Sequence, residues 1–385
     1  MLILRGLWIF VWLTGAFPGL PGEGVAASAG PFEYGVEGEN VTVTAYRGPP
    51  GPVEVPAALD GRPVVKIGNR AFREQVGITA ISLPASVTQI GEQAFWGCDS
   101  LNFVVLPPRL SSLGKEAFSY CIRISRLEIS PGLIEIPEGA FQHCHSLYEI
   151  AVPEGVTKIG KQAFANCEML VQAKFPESLA SLGDGAFQAC NQLAVVRLPT
   201  GLRRVGNYAF AQCVGLREVS LPDGFTHLGT HAFLNCRKLT GISLPSSTVE
   251  IGKHAFKGCE GLRQVQLNHG LTRIPEHAFW GCEGLKEISI PDTVLSLEEE
   301  AFRECRGLRQ VRLSRNLVSL GRGVFQDCSK LENLFVPPSV QTIGEAALEG
   351  CAGLKNLELP PAFLNFSPQP GLAVPTGVKV LPSAR

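Results

Sequence analysis

Twelve cysteines recur along the chain at intervals of 23 residues, from Cys98 to Cys351. Evenly spaced thiols have three uses open to them: pairing as disulfides, holding soft metals as thiolates, or packing as small apolar groups. A second series at the same spacing is His231, His254 and His277, with Glu300 one step further on. Imidazoles about 5 Å apart can share a transition metal. The same position holds Gln93, Glu116, Gln162 and Tyr208 in other units, as an exposed turn would. His143 and His145 straddle Cys144 but have no obvious further ligands. No nucleophile–base arrangement can be read from the chain, and Glu298-Glu299-Glu300 reads as a solvated turn.

The spacing of these residues belongs to a repeat. Phenylalanine falls every 23 residues from Phe72 to Phe325, and Leu348 takes the next position, so thirteen units run without insertion or deletion. Ala precedes each of these residues except Phe325, which follows Val324; Ile, Leu or Val lies five before, Cys three after from Cys98 onward, and Leu or Ile six after. In LREVSLP (216–222), Val219 and Leu221 alternate with Glu218 and Ser220, as in a half-buried strand. Pro222 then ends the strand because it has no N–H to donate. A second short extended piece follows, as in VTKIG (156–160), where Gly160 suits a turn with φ above zero; Pro137, Pro275 and Glu298 replace that glycine in three units. The AFxxC portion fits one helical or 3₁₀ turn.

A 23-residue unit cannot bury its apolar side alone, whereas stacked units share a continuous core. The fold expected is therefore a mainly β repeat solenoid with a parallel sheet, thirteen rungs tall or roughly 60 Å at the usual strand spacing. The phenylalanine column is its spine. Cysteines in one column of such a stack have parallel side chains, which strains a disulfide between neighbours. Buried packing is the reading this favours, with adjacent disulfides and metal or redox chemistry as the alternatives.

Units such as VPEGVTKIGKQAFANCEMLVQAKFP (152–176) resemble the BspA-type leucine-rich repeats, over about residues 53–361. VEVPAALDGRPVVKIGNRAF, with its longer turn at Asp60-Gly61, resembles the first repeat of that family. The resemblance implies a curved, right-handed solenoid on secreted or surface-exposed proteins. It further implies adhesion or binding of other macromolecules, and repeats that carry no catalytic motif.

The rest of the chain sets boundaries. Residues 1–27 read as a secretory signal, with Arg5, the apolar stretch GLWIFVWLTGAF, and cleavage expected after Ala27. Residues 28–52 are expected to form a β cap, 53–361 the solenoid, and 362–385 a C-terminal cap and loose tail. A formal net charge of −1 leaves no electrostatic footprint for nucleic acid, and no later segment is apolar enough to span a bilayer. The outward strand positions form an extended face. Its candidate ligand residues are Phe103, Val105, Arg126, Glu128, Gln172, Lys174, Arg197, Gln264, Gln266, Arg312 and Phe335. The expectation is an exported, non-enzymatic protein, without cofactor, that binds a protein or glycan. A purely structural envelope component is the first alternative, and a solenoid glycan-active enzyme the second.

Overall fold

The computed structural model describes residues 27–364 and 372–383. Each unit lays down a three-residue strand, such as Glu218–Ser220, and then a two-residue strand, such as His227–Leu228. Hydrogen-bonded turns complete the rung. Burial alternates as the pattern requires: Val219 faces the core between exposed Glu218 and Ser220. Strands pair in parallel with the same position one unit on, as Val196 does with Val219. The unbroken register thus becomes a β-solenoid with almost no helix; among the described residues the only helical element is the 3₁₀ turn Pro361–Phe363.

The stack is taller than the sequence repeat. Fifteen strands follow one another on the longer-strand face, from Gly51–Glu54 to Lys379–Pro382. At the first end, Gly51–Glu54 pairs with Ile78–Ser82, so this rung crosses the expected boundary at residue 53. The hairpin of Phe32–Glu37 and Asn40–Tyr46 turns at Gly38, and Val41 pairs with Val64 of the first unit. The strand Ala27–Ala29 adds to this hairpin, so the expected signal lies outside the described residues except for Ala27. At the other end a further strand lies within the expected tail. Lys379–Pro382 pairs with Asn356–Leu359, Asn356 opposite Lys379, which preserves the 23-residue step. A terminal strand packs on one side only, so its backbone can keep the ladder while its side chains leave the repeat; Val380, in the inward column, is 41% exposed.

The turns differ from both sequence readings. Residues two before and two after each phenylalanine are left-handed, whether Gly97 (φ 69°) or a side-chain-bearing residue such as His231 (φ 57°) or Asn235 (φ 58°). This conformation prevents a helix and aims alternate N–H groups along the stack. Those of Gln93, Phe95 and Gly97 donate to the carbonyls of Lys115, Ala117 and Ser119 at 2.8–2.9 Å. The glycine four before phenylalanine is not left-handed. It is required because rungs approach closely there: a Cβ on Gly160 would lie 2.7 Å from Glu138 N and 2.8 Å from Pro137 C. Its N–H donates to Ile136 O one rung back at 2.7 Å. Pro137 and Pro275 cannot make that bond. The ladder of two-residue strands breaks at both, between Ser112–Leu113 and Glu135–Ile136 and between Glu250–Ile251 and Arg273–Ile274. Glu298, which keeps its N–H, donates to Ile274 O at 2.9 Å, and the ladder continues.

The core is the phenylalanine column. Phe72 to Phe325 are fully buried, and successive rings stack at 4.8–5.7 Å. Burial contributes about 1.5–3 kcal/mol per ring, and the aromatic contact adds about 0.5–1.5 kcal/mol.

Candidate functional site

The cysteines are packing. All twelve are free and buried. Each thiol donates to the carbonyl of the phenylalanine one rung back, from Cys98 to Phe72 O (3.1 Å) through to Cys351 to Phe325 O (3.1 Å). That carbonyl also accepts a turn N–H, as Phe95 O does from Cys98 N, so the thiol fills its second lone pair. Cysteine suits the column because it is small and apolar yet carries one weak donor. Burial pushes the thiols from Cys121 to Cys351 above their ordinary range, to about 12 at Cys167, Cys213, Cys259, Cys305 and Cys351. They stay protonated at neutral pH, which removes the thiolate that ligation or nucleophilic attack needs.

The histidine column is real but is not a solvated turn. His231, His254 and His277 stack with centroids 4.4 Å apart and planes within 9° of parallel, and Tyr208 stacks on His231 at 4.4 Å. All three are half-buried, because left-handed turns hold successive rings face to face. Burial, followed by the neighbouring imidazoles of His231 and His277, lowers His254 to about 4. His277 is held on its far side: Nε2 lies 2.9 Å from Glu300 Oε2, and Arg303 donates to Glu300 Oε1 at 2.8 Å. Glu300 is 7% exposed, so the acidic run is not wholly a solvated turn. Sequence spacing pointed to His231 as the third partner. The structure instead gathers His254, Glu276 and His277, with ligand atoms all within 4.8 Å of one another. Glu276 escaped notice because it precedes His277 in the chain rather than sharing its column.

The strand face holds the other candidates. Phe103, Val105 and Phe335 are exposed on it, and Arg126 pairs with Glu128 at 2.9 Å while lying over the Phe103 ring. Gln172, Lys174 and Arg197 line one shallow groove, where Arg197 is paired with Glu218 at 3.3 Å. Gln264, Gln266 and Arg312 come together in a larger groove of about 630 Å³. The groove opens at Gly241, which has no side chain in the outward position, and Ser243, Arg263 and Glu287 contribute to its lining. A second groove beside it adds Lys286, Arg309, Glu332 and Asn333. Sequence reading missed one feature of this region. The residue just before each strand is Arg217, Thr240, Arg263, Lys286 and Arg309 in consecutive units, a row of cations visible in LREVS, LRQVQ, LKEIS and LRQVR. All four cations are exposed, and among the described residues none forms an ion pair. Glu332, the nearest carboxylate of that row, is already paired with Lys355 at 3.1 Å.

Six copies of the BspA type leucine rich repeat region match the chain, over residues 65–194, 185–309 and 272–369. Among solved structures the chain is similar to a leucine-rich repeat protein from Bacteroides ovatus, with 30% identity over 92% of this chain and 98% of that one and a TM-score of 0.75. It is also similar to a leucine rich cell surface protein from Faecalibacterium prausnitzii, with 27% identity over 88% and 95% of the two chains and a TM-score of 0.58. A leucine-rich repeat protein from Eubacterium ventriosum shares the fold at 19% identity, 84% and 93% coverage and a TM-score of 0.53. No curated protein matches. Among the described residues, no helix is long and apolar enough to cross a membrane.

Proposed function

Because the chain belongs to the BspA-type leucine-rich repeat family, we propose that it is an exported, adhesion-like binding protein whose strand face takes an acidic segment of a protein partner. The observation that carries this reading is the row Arg263, Lys286 and Arg309 along the edge of the two adjoining grooves, exposed and, among the described residues, without ion pairs. Unpaired like charges one rung apart repel each other, and an acidic ligand relieves that repulsion while steering its own approach. Gln264, Gln266 and Gln310 then offer amide donors and acceptors to the partner's backbone. Export is supported by the secretory pattern in residues 1–27 and by the likeness to a cell surface protein. The family's repeat fold is typically non-enzymatic, and the groove is open and mixed in charge.

The test uses the full chain and fluorescent poly-glutamate as the probe, followed by anisotropy at low and physiological salt. Binding should weaken as salt rises, and the variant Arg263→Ser/Lys286→Ser/Arg309→Ser should bind at least about tenfold more weakly. Equal binding by the variant would remove the reading. Preference for a sulfated polysaccharide over poly-glutamate would reassign the partner from protein to glycan.

A further inference from the structure

Independently of the strand face, we propose that His254, Glu276 and His277 form a binding site for one borderline divalent cation of the zinc or nickel class. The site lies in the turn column, where the left-handed backbone of His254 (φ 57°) and His277 (φ 56°) fixes the two imidazoles one rung apart. Two imidazoles and one carboxylate are a donor set that zinc accepts, with further positions left for water.

Three observations lead to a cation rather than to simple packing. First, the Nδ1 atoms of His231, His254 and His277 are all buried without a hydrogen-bond partner, and only His254 and His277 have a carboxylate, Glu276, gathered with them. Buried polar atoms are normally satisfied, and an orphan of this kind needs a reason. Second, the outer nitrogen of His277 is already engaged. Its Nε2 faces Glu300, which is itself fixed by Arg303, and this favours the tautomer with the proton on Nε2 and the lone pair on Nδ1. A carboxylate behind a ligating histidine is the usual outer partner of a metal site. Third, that Nδ1 lies 3.0 Å from Glu276 Oε1 but not in hydrogen-bond alignment, so a lone pair and an anionic oxygen face the same space. A cation between them converts this repulsion into attraction.

The fit requires side-chain movement only. The rings of His254 and His277 are 4.4 Å apart and 9° from parallel, so their Nδ1 lone pairs run side by side. Rotation about the last side-chain torsion, which is broad for histidine, turns both toward a common point, and Glu276 supplies the third ligand. Trp280, stacked on His277 at 4.9 Å, limits that ring on its other side. The opposing charges are Lys253, Lys257 and Arg303. Arg303 is taken up by Glu300, and Lys257 lies over the Trp280 ring. Lys253, 2.7 Å from Glu276 Oε2, is the direct competitor for the carboxylate.

Calorimetric titration of the chelator-treated full chain with zinc and with nickel tests the site. One equivalent should bind and raise the melting temperature by linkage. His254→Gln and Glu276→Gln should each weaken binding by about tenfold or more, whereas His231→Gln should leave it unchanged. Lys253→Gln should tighten it, since the charge that competes for the Glu276 carboxylate is removed while all three ligand residues are kept. X-ray absorption of the loaded protein should show two imidazoles and oxygen ligands. Absence of binding overturns the proposal, as does binding that is indifferent to His254→Gln and Glu276→Gln. Equal dependence on His231 would also overturn it, because the site would then be the three-histidine column.

Discussion

Alkaline pH should unfold this protein through its thiol column. Cys167, Cys213, Cys259, Cys305 and Cys351 have folded values of about 12 against an ordinary 9.0, because burial disfavours the thiolate. The folded state therefore keeps a proton that the unfolded chain loses. Stability from this source is fully present below pH 9 and falls as pH rises toward 12. Between pH 9 and 10 each such thiol should cost about 1 kcal/mol, hence about 5 kcal/mol for the five. That is comparable with the whole stability of an ordinary domain, about 5–15 kcal/mol. Guanidinium unfolding followed by circular dichroism at pH 8, 9 and 10, with reductant present, measures the loss. Tyrosine and lysine titrate in the same range, so the control is Cys213→Ala/Cys259→Ala. This variant is less stable throughout because it carries small cavities, but its loss from pH 9 to 10 should be smaller by about 2 kcal/mol. In parallel, native protein at pH 8 should react slowly with a thiol reagent, and denatured protein should expose all twelve thiols without prior reduction. An identical pH slope in both proteins, or rapid native reaction, would refute the argument.

Two further changes probe the rungs themselves. Phe210→Ala removes a fully buried ring between Phe187 and Phe233 and should cost about 3–5 kcal/mol, seen as hydrogen exchange that speeds up around that unit rather than across the chain. Gly252→Ala places a methyl 2.3 Å from Thr230 N and 2.4 Å from Gly229 C; it should cost about 1–3 kcal/mol by chemical denaturation, although the backbone there has no positive φ to relieve.

The sequence by itself determined the stack, its register, its phenylalanine spine and the burial of its cysteines. Each of these depends on one position meeting its own copy 23 residues away, so the period states the contact directly. The likeness to BspA-type repeats was legible for the same reason. What only the tertiary structure decided is whatever depends on direction or on neighbours outside the column. The phenylalanine carbonyl that each thiol meets lies 26 residues back, not 23, and no side-chain pattern records a carbonyl. Glycine in the IG position looked like a turn residue, yet its role is close approach between rungs, which is a distance and not a local torsion. The last strand was invisible because a rung with one neighbour needs backbone pairing but not the repeat's side chains. Glu276 joined the histidines because adjacent rungs bring it beside His254 as well as His277, and spacing along one column cannot show a contact made across two.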